Sequence, residues 1–138
     1  MKDTLVPGIE HTFRYTVARE KTVPHLFPES GIFRTMPQVL ATGYFVGLVE
    51  WACMEAMAPH LADGEGSVGG MIQLTHTSPT PPGMEVTIRV KCLAVDGRRT
   101  LWEFEASDER DPIGRGKHER FTVNWEQFGR KLREKMAD

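Results

Sequence analysis

The residue that most needs explaining is Glu50. It stands inside the longest apolar run of the chain, Val39–Ala58 (VLATGYFVGLVEWACMEAMA). A charge placed in such a run costs free energy unless something pairs with it or uses it. Phe45, Val46, Trp51 and Met54 surround it in sequence and would desolvate it, which makes a carboxylate a stronger base or nucleophile. The competing explanation is an ion pair with an arginine, Arg120 being the candidate. His76 follows Ile72 and Leu74 at alternating positions of an extended segment. It is either a general acid–base group beside Glu50 or a satisfied core histidine. Thr42 precedes the helical part of the apolar run. Its hydroxyl could donate to a reacting group, with the N–H groups of Gly43 and Tyr44 as oxyanion donors, or it could serve as an ordinary N-cap.

These groups must be positioned by the elements around them. A helix is expected from Thr42 to about Met57, ending before Pro59. Val46, Val49, Cys53 and Ala56 form one stripe at helical spacing, and Gly43, Gly47, Glu50 and Met54 form its neighbour. The two glycines leave room for another backbone or a ligand. Before the helix, residues 9–18 alternate as a first strand. Residues 19–41 are interrupted by Pro24, Pro28, Gly31 and Pro37, and carry Leu26, Phe27, Ile32, Phe33 and Met36. Such a loop is either a lid or a cap on the core.

Everything after Gly66 reads as antiparallel sheet. Four strands are expected at 68–78, 84–95, 100–107 and 115–125, with Asp96-Gly97 as a hairpin turn. The third of the chain's five strands points Val86, Ile88, Val90 and Cys92 to one face; the fourth points Trp102, Phe104 and Ala106. The last sets Phe121, Val123 and Trp125 against His118, Arg120 and Thr122. His118 and Arg120 could line a pocket, though pairing with Glu103 or Glu119 is the simpler expectation for His118. The tail from Trp125 is a charged helix with a thin apolar edge. A helix that is apolar on most sides must be wrapped, and one curved sheet can wrap it. The fold class is therefore α+β, as a single domain over 1–138.

Composition narrows the functions. The net charge of −2 gives no basic excess for phosphate backbones, so no nucleic-acid partner is expected. Glu50 and Glu55 make the apolar run too costly as a membrane span, and the first residues lack the apolar core of a secretory signal. Cys53 and Cys92 have no spacing suited to metal or redox work and suit buried positions in a reducing cytoplasm. The five histidines form no HxH or HExxH pattern, so no metal is expected.

The segments ATGYFVGLVEWACMEAMAPHL, GEGSVGGMIQLTHTSPTPPG and GRGKHER, with KTVPHLFPES in the loop, resemble the fluoroacetyl-CoA thioesterase branch of the hot-dog-fold thioesterases. The likeness runs nearly end to end. It implies a hot-dog fold, a homodimer joined edge to edge, and hydrolysis of a small acyl-CoA thioester without metal or bound cofactor. The family's catalytic threonine, glutamate and histidine fall on Thr42, Glu50 and His76, its pocket glycine on Gly69 and its pocket arginine on Arg120. One of its two gating aromatics falls on Phe33, while the other position holds Met36, a more flexible filler than a ring. Gly43 belongs with the substrate-binding set through its N–H. Two other functions stay in competition: an enoyl-CoA hydratase or dehydratase on the same fold, and a non-catalytic acyl-CoA or small-molecule binding dimer.

The spacing adds a geometric expectation. Thr42 and Glu50 are separated by roughly 12 Å along a helix and about 80° around it, so they cannot touch within one helix. Two antiparallel helices related by a twofold axis would let Thr42 of one subunit face Glu50 of the other.

Overall fold

Five antiparallel strands curve around one long helix in the computed structural model, which describes residues 1–137. The strands are β1 (Glu10–Thr16), β2 (Glu65–His76), β3 (Glu85–Asp96), β4 (Arg99–Ser107) and β5 (Pro112–Asn124). The helices are α1 (Gly31–Arg34), α2 (Thr42–Met57) and α3 (Trp125–Met136). This is the α+β architecture expected from the sequence.

Helix α2 is the filling because its apolar residues have nowhere else to go. Phe45, Leu48, Val49, Ala52, Cys53, Ala56 and Met57 are buried against Val86, Ile88, Val90 and Cys92 of β3 and Trp102, Phe104 and Ala106 of β4. The expected alternation of both strands is seen. Gly97 supplies the positive φ (+60°) that the tight β3–β4 turn requires. The outward faces of the same strands carry rows of alternating charge, Glu10–Lys91–Glu103–Lys117 and Arg89–Glu105–Arg115, as cross-strand neighbours.

The spatial order is β1-β3-β4-β5-β2, so the four later strands do not pair in sequence order. Strand β2 lies at the far edge against β5, and the chain then crosses to β3. Pro79, Pro81 and Pro82 rule out a two-residue hairpin at this crossing. It is held instead by Thr77 N–H to Ile113 O (2.7 Å) and the Thr80 hydroxyl to Asp108 Oδ2 (2.9 Å). Strand β2 also breaks register between Gly69 and Met71. This bulge switches the parity of the strand: Gly69 before it and His76 after it both face α2.

Residues 19–41 contain two short 3-10 turns (Arg19–Lys21 and Val23–His25) and α1, capped by the Ser30 hydroxyl. The loop is pinched at its base. Thr22 and Leu40 form an isolated antiparallel bridge, flanked by Val23 N–H to Val39 O (2.9 Å) and Ala41 N–H to Lys21 O (3.1 Å).

Candidate active site

The structure gathers the chemistry-bearing residues into two clusters at different places along α2. The first joins the start of α2 to the end of β2. The helix is capped by Ala41 rather than Thr42, and no side chain serves as the cap. Thr42 is the first helical residue, which releases its hydroxyl from capping. The Thr42 Oγ1 lies 2.8 Å from His76 Nδ1. The His76 ring packs edge-on against Phe45, with centroids 5.0 Å apart, and its Nε2 is enclosed without a hydrogen-bond partner. Burial holds His76 below the ordinary histidine range, so the ring is neutral near pH 7.

The second cluster joins the middle of α2 to β5 and β2. Arg120 is almost fully buried and is held at every nitrogen. Its Nε donates to Ser67 Oγ (2.8 Å), Nη2 to Ser67 O (2.9 Å), and Nη1 to Glu50 Oε2 (3.1 Å). His118, also buried, sits beside it: Nε2 is 3.2 Å from Arg120 Nη1 and Nδ1 is 2.7 Å from Met71 O. Gly69 closes the cluster. A Cβ there would lie 2.9 Å from Glu50 Oε2, closer than a side chain tolerates.

Three sequence expectations are corrected here. Glu50 is not caged by apolar side chains. Its side chain is 38% exposed and is paired with Arg120, because a cation buried on β5 needs an anion nearby. Trp51 turns away toward β1 and stacks on Phe13 (4.9 Å) and Tyr15 (6.2 Å). His118 pairs with neither Glu103 nor Glu119. Glu119 is taken by Arg99 at 2.6 Å, which holds its carboxyl below the usual carboxylate range. Sequence reasoning gave His118 little weight and did not consider Ser67. The available signal was the inward-facing alternation His118–Arg120–Thr122, polar where β3 and β4 are apolar.

The remaining candidates lie around these clusters. Gly43 sits under the loop, where a Cβ would meet Leu26 Cδ at 3.4 Å, while Gly47 opens onto free space. The stripe Gly43–Gly47–Glu50–Met54 thus lies along the open side of α2. Phe33 is half-buried and stacks on Phe27 at 5.3 Å; Met36 is exposed. Two concavities, of about 510 and 700 Å³, lie on the charged outer face of the sheet, and neither is lined by Thr42, Glu50 or His76. Thr42 and Glu50 instead open onto the side of α2 that the sheet leaves uncovered. Among the described residues, no three His, Cys, Asp or Glu side chains converge as metal ligands, and no helix is long and apolar enough to cross a membrane.

A family model described as fluoroacetyl-CoA-specific thioesterase matches residues 17–126. The chain belongs to this family. It is 49% identical over 135 residues to the fluoroacetyl-CoA thioesterase of Streptantibioticus cattleyicolor, covering 98% of this chain and 97% of the relative. A solved structure of the fluoroacetyl-CoA thioesterase FlK superposes with a TM-score of 0.94 at 48% identity, covering 96% of this chain and 98% of that one. A Thermus thermophilus thioesterase superfamily member superposes with a TM-score of 0.84 at 29% identity, over 97% of both chains. The fold is the hot-dog fold of these thioesterases, and the protein is an acyl-CoA thioester hydrolase. That decides against the hydratase and the non-catalytic binder.

Proposed function

We propose that the enzyme hydrolyses a small acyl-CoA thioester, fluoroacetyl-CoA first among the candidates, at two sites built between the subunits of a homodimer. The observation that carries this is the state of Glu50: a buried arginine holds one carboxylate oxygen, while the side chain still opens onto an uncovered helix stripe. Such a carboxylate is aligned and accessible. Thr42, at the start of the same helix, and His76, at the end of β2, form the other group. A second copy related by a twofold axis would bring its Thr42 and His76 toward this Glu50, and the unpaired edge of β2 offers a place for the sheets to join.

In this arrangement Glu50 attacks the thioester carbonyl carbon, directly or through a water whose proton it takes. The carbonyl oxygen gains negative charge. The uncapped first turn of α2, with the N–H groups of Gly43 and Tyr44, is placed to stabilise it. The C–S bond then breaks with the Thr42–His76 pair hydrogen-bonded to the leaving thiolate, which takes the proton Glu50 drew from water; on the direct route, water that gives its proton to His76 cleaves the Glu50 acyl anhydride, and His76 passes that proton to the thiolate. The net reaction consumes water and gives a carboxylic acid and a free thiol, and needs no resident cofactor or metal. Gly69 leaves room for the Glu50 carboxylate, and Arg120 orients it. Phe33 and Met36 in the loop would contact the acyl group. The buried, unpaired Cys53 and Cys92 suit a reducing cytoplasm; burial pushes the Cys53 thiol up to about 12.

A thiol-release assay over a panel of acyl-CoAs, with fluoroacetyl-CoA beside acetyl-CoA, tests the substrate class. The E50Q variant is expected to lose turnover by about 10³-fold or more. Retained turnover in E50Q, or a fully active monomer by native mass spectrometry, would overturn the site.

A further inference from the structure

The geometry points to His118 as a positioning residue that aims the Glu50 carboxylate through Arg120; the inference rests on Glu50 being the group that attacks the thioester. His118 is 2% exposed and makes two contacts of opposite kind. A carbonyl oxygen can only accept, so the Nδ1 that lies 2.7 Å from Met71 O carries the proton. In the neutral ring Nε2 is then the lone pair, and it accepts from Arg120 Nη1 at 3.2 Å. Nη1 carries two hydrogens, and its two acceptors are His118 Nε2 and Glu50 Oε2 (3.1 Å). One hydrogen satisfied by His118 fixes the direction of the other.

Only this tautomer works. A protonated ring would set an N–H against an N–H and add a second cation to a buried site. The titratable groups around it are Arg120 and Glu119 on β5 and Glu50 on α2; β2 contributes the Met71 carbonyl. Burial first, and then the Arg120 charge, hold the imidazole below the ordinary histidine range. The Met71 carbonyl sits at the β2 bulge beside Gly69, so His118 also ties the bulge to the arginine. The result is a rigid chain: bulge, imidazole, guanidinium, carboxylate. It uses Oε2 and leaves Oε1 for the reacting carbon or water.

Two amides separate positioning from packing. In H118Q, the longer side chain can set its carbonyl oxygen near the Nε2 position and accept from Arg120. In H118N, the shorter amide can donate to Met71 O but does not reach Arg120. With a small acyl-CoA as substrate, kcat of H118N is expected to fall about tenfold or more with KM within about twofold, and H118Q is expected to recover most of that loss. In an R120M background, H118N should add little further loss in kcat, because the two residues act as one unit. A purely structural role would lower the melting temperature and leave kcat per folded molecule unmoved. Equal losses in folded H118N and H118Q, or a full additional loss on top of R120M, overturn the inference. If H118N does not fold, a folded H118Q with an about hundredfold lower kcat overturns it, and a mild loss supports it. E50Q is assayed alongside: turnover in E50Q removes the role of Glu50 itself, whereas an inactive E50Q with indistinguishable H118N and H118Q removes only the role of His118.

Discussion

Across β3 and β4, the sheet presents Val86, Ile88, Val90, Cys92, Trp102, Phe104 and Ala106 to α2. One strand further, across β5 and β2, the same face presents His118, Arg120, Thr122, Ser67 and Gly69. Apart from the exposed Gly69, both halves are buried, and both touch one helix. The first half stabilises by removing apolar surface from water, with each side chain acting much on its own. In the second, His118, Arg120 and Ser67 form with Glu50 a hydrogen-bonded network whose members depend on one another, since an unpaired buried charge is expensive. Dense polar groups on the inward face of a sheet mark the half where the molecule has given up apolar packing.

The sharpest break between the halves should come from His76. H76A is expected to cut kcat by about 10²–10⁴-fold while leaving most of the stability, as measured by thiol release and thermal melting. Ile88, fully buried in the apolar half, should do the reverse. I88A is expected to cost about 2–5 kcal/mol in denaturant unfolding, with turnover per folded molecule near wild type. Gly69 lies on the polar side. G69A would drive a methyl group to within van der Waals contact of the Glu50 carboxylate, and an about 10²-fold loss of kcat is expected with only a small shift in melting temperature. If G69A instead unfolds the protein, the polar half is structural in the same sense as the apolar one.

The smallest effect is in pH. His76 and His118 are both held below the ordinary histidine value by burial. The unfolded chain therefore binds protons first as pH falls. Their contribution is fully present above the ordinary histidine value, and stability declines as pH drops through that value toward the folded ones, by at most about 1.4 kcal/mol per group per pH unit. The lowered carboxyls, such as Glu119, contribute in the same direction, but their loss begins only near the ordinary carboxylate range. H118Q should flatten the melting-temperature curve as pH falls below the ordinary histidine value; a curve identical to wild type would count against a buried neutral His118.

The apolar half was readable from the amino acids because period two and the Asp96-Gly97 turn follow directly from strand geometry. The bounds of α2, and its open stripe with Gly43, Gly47 and Glu50, were readable for the same reason at period 3.6. The edge position of β2 was not, since nothing local tells a strand which neighbour it will find. Nor was the meeting of Gly69 with His76 on one face. Seven residues apart, they would oppose each other in a regular strand; only the bulge after Gly69 reconciles them, and the Gly69–Gly70 pair was its trace. The Glu50–Arg120 contact spans 70 positions, so it could be named as one possibility but not chosen over a greasy cage.

The base of the 19–41 loop has a practical meaning. Because Thr22 and Leu40 clasp each other before the chain enters α2, residues 23–39 form a cassette with fixed sockets at both ends. Evolution or an engineer could swap that stretch whole without redrawing the helix that carries Thr42 and Glu50.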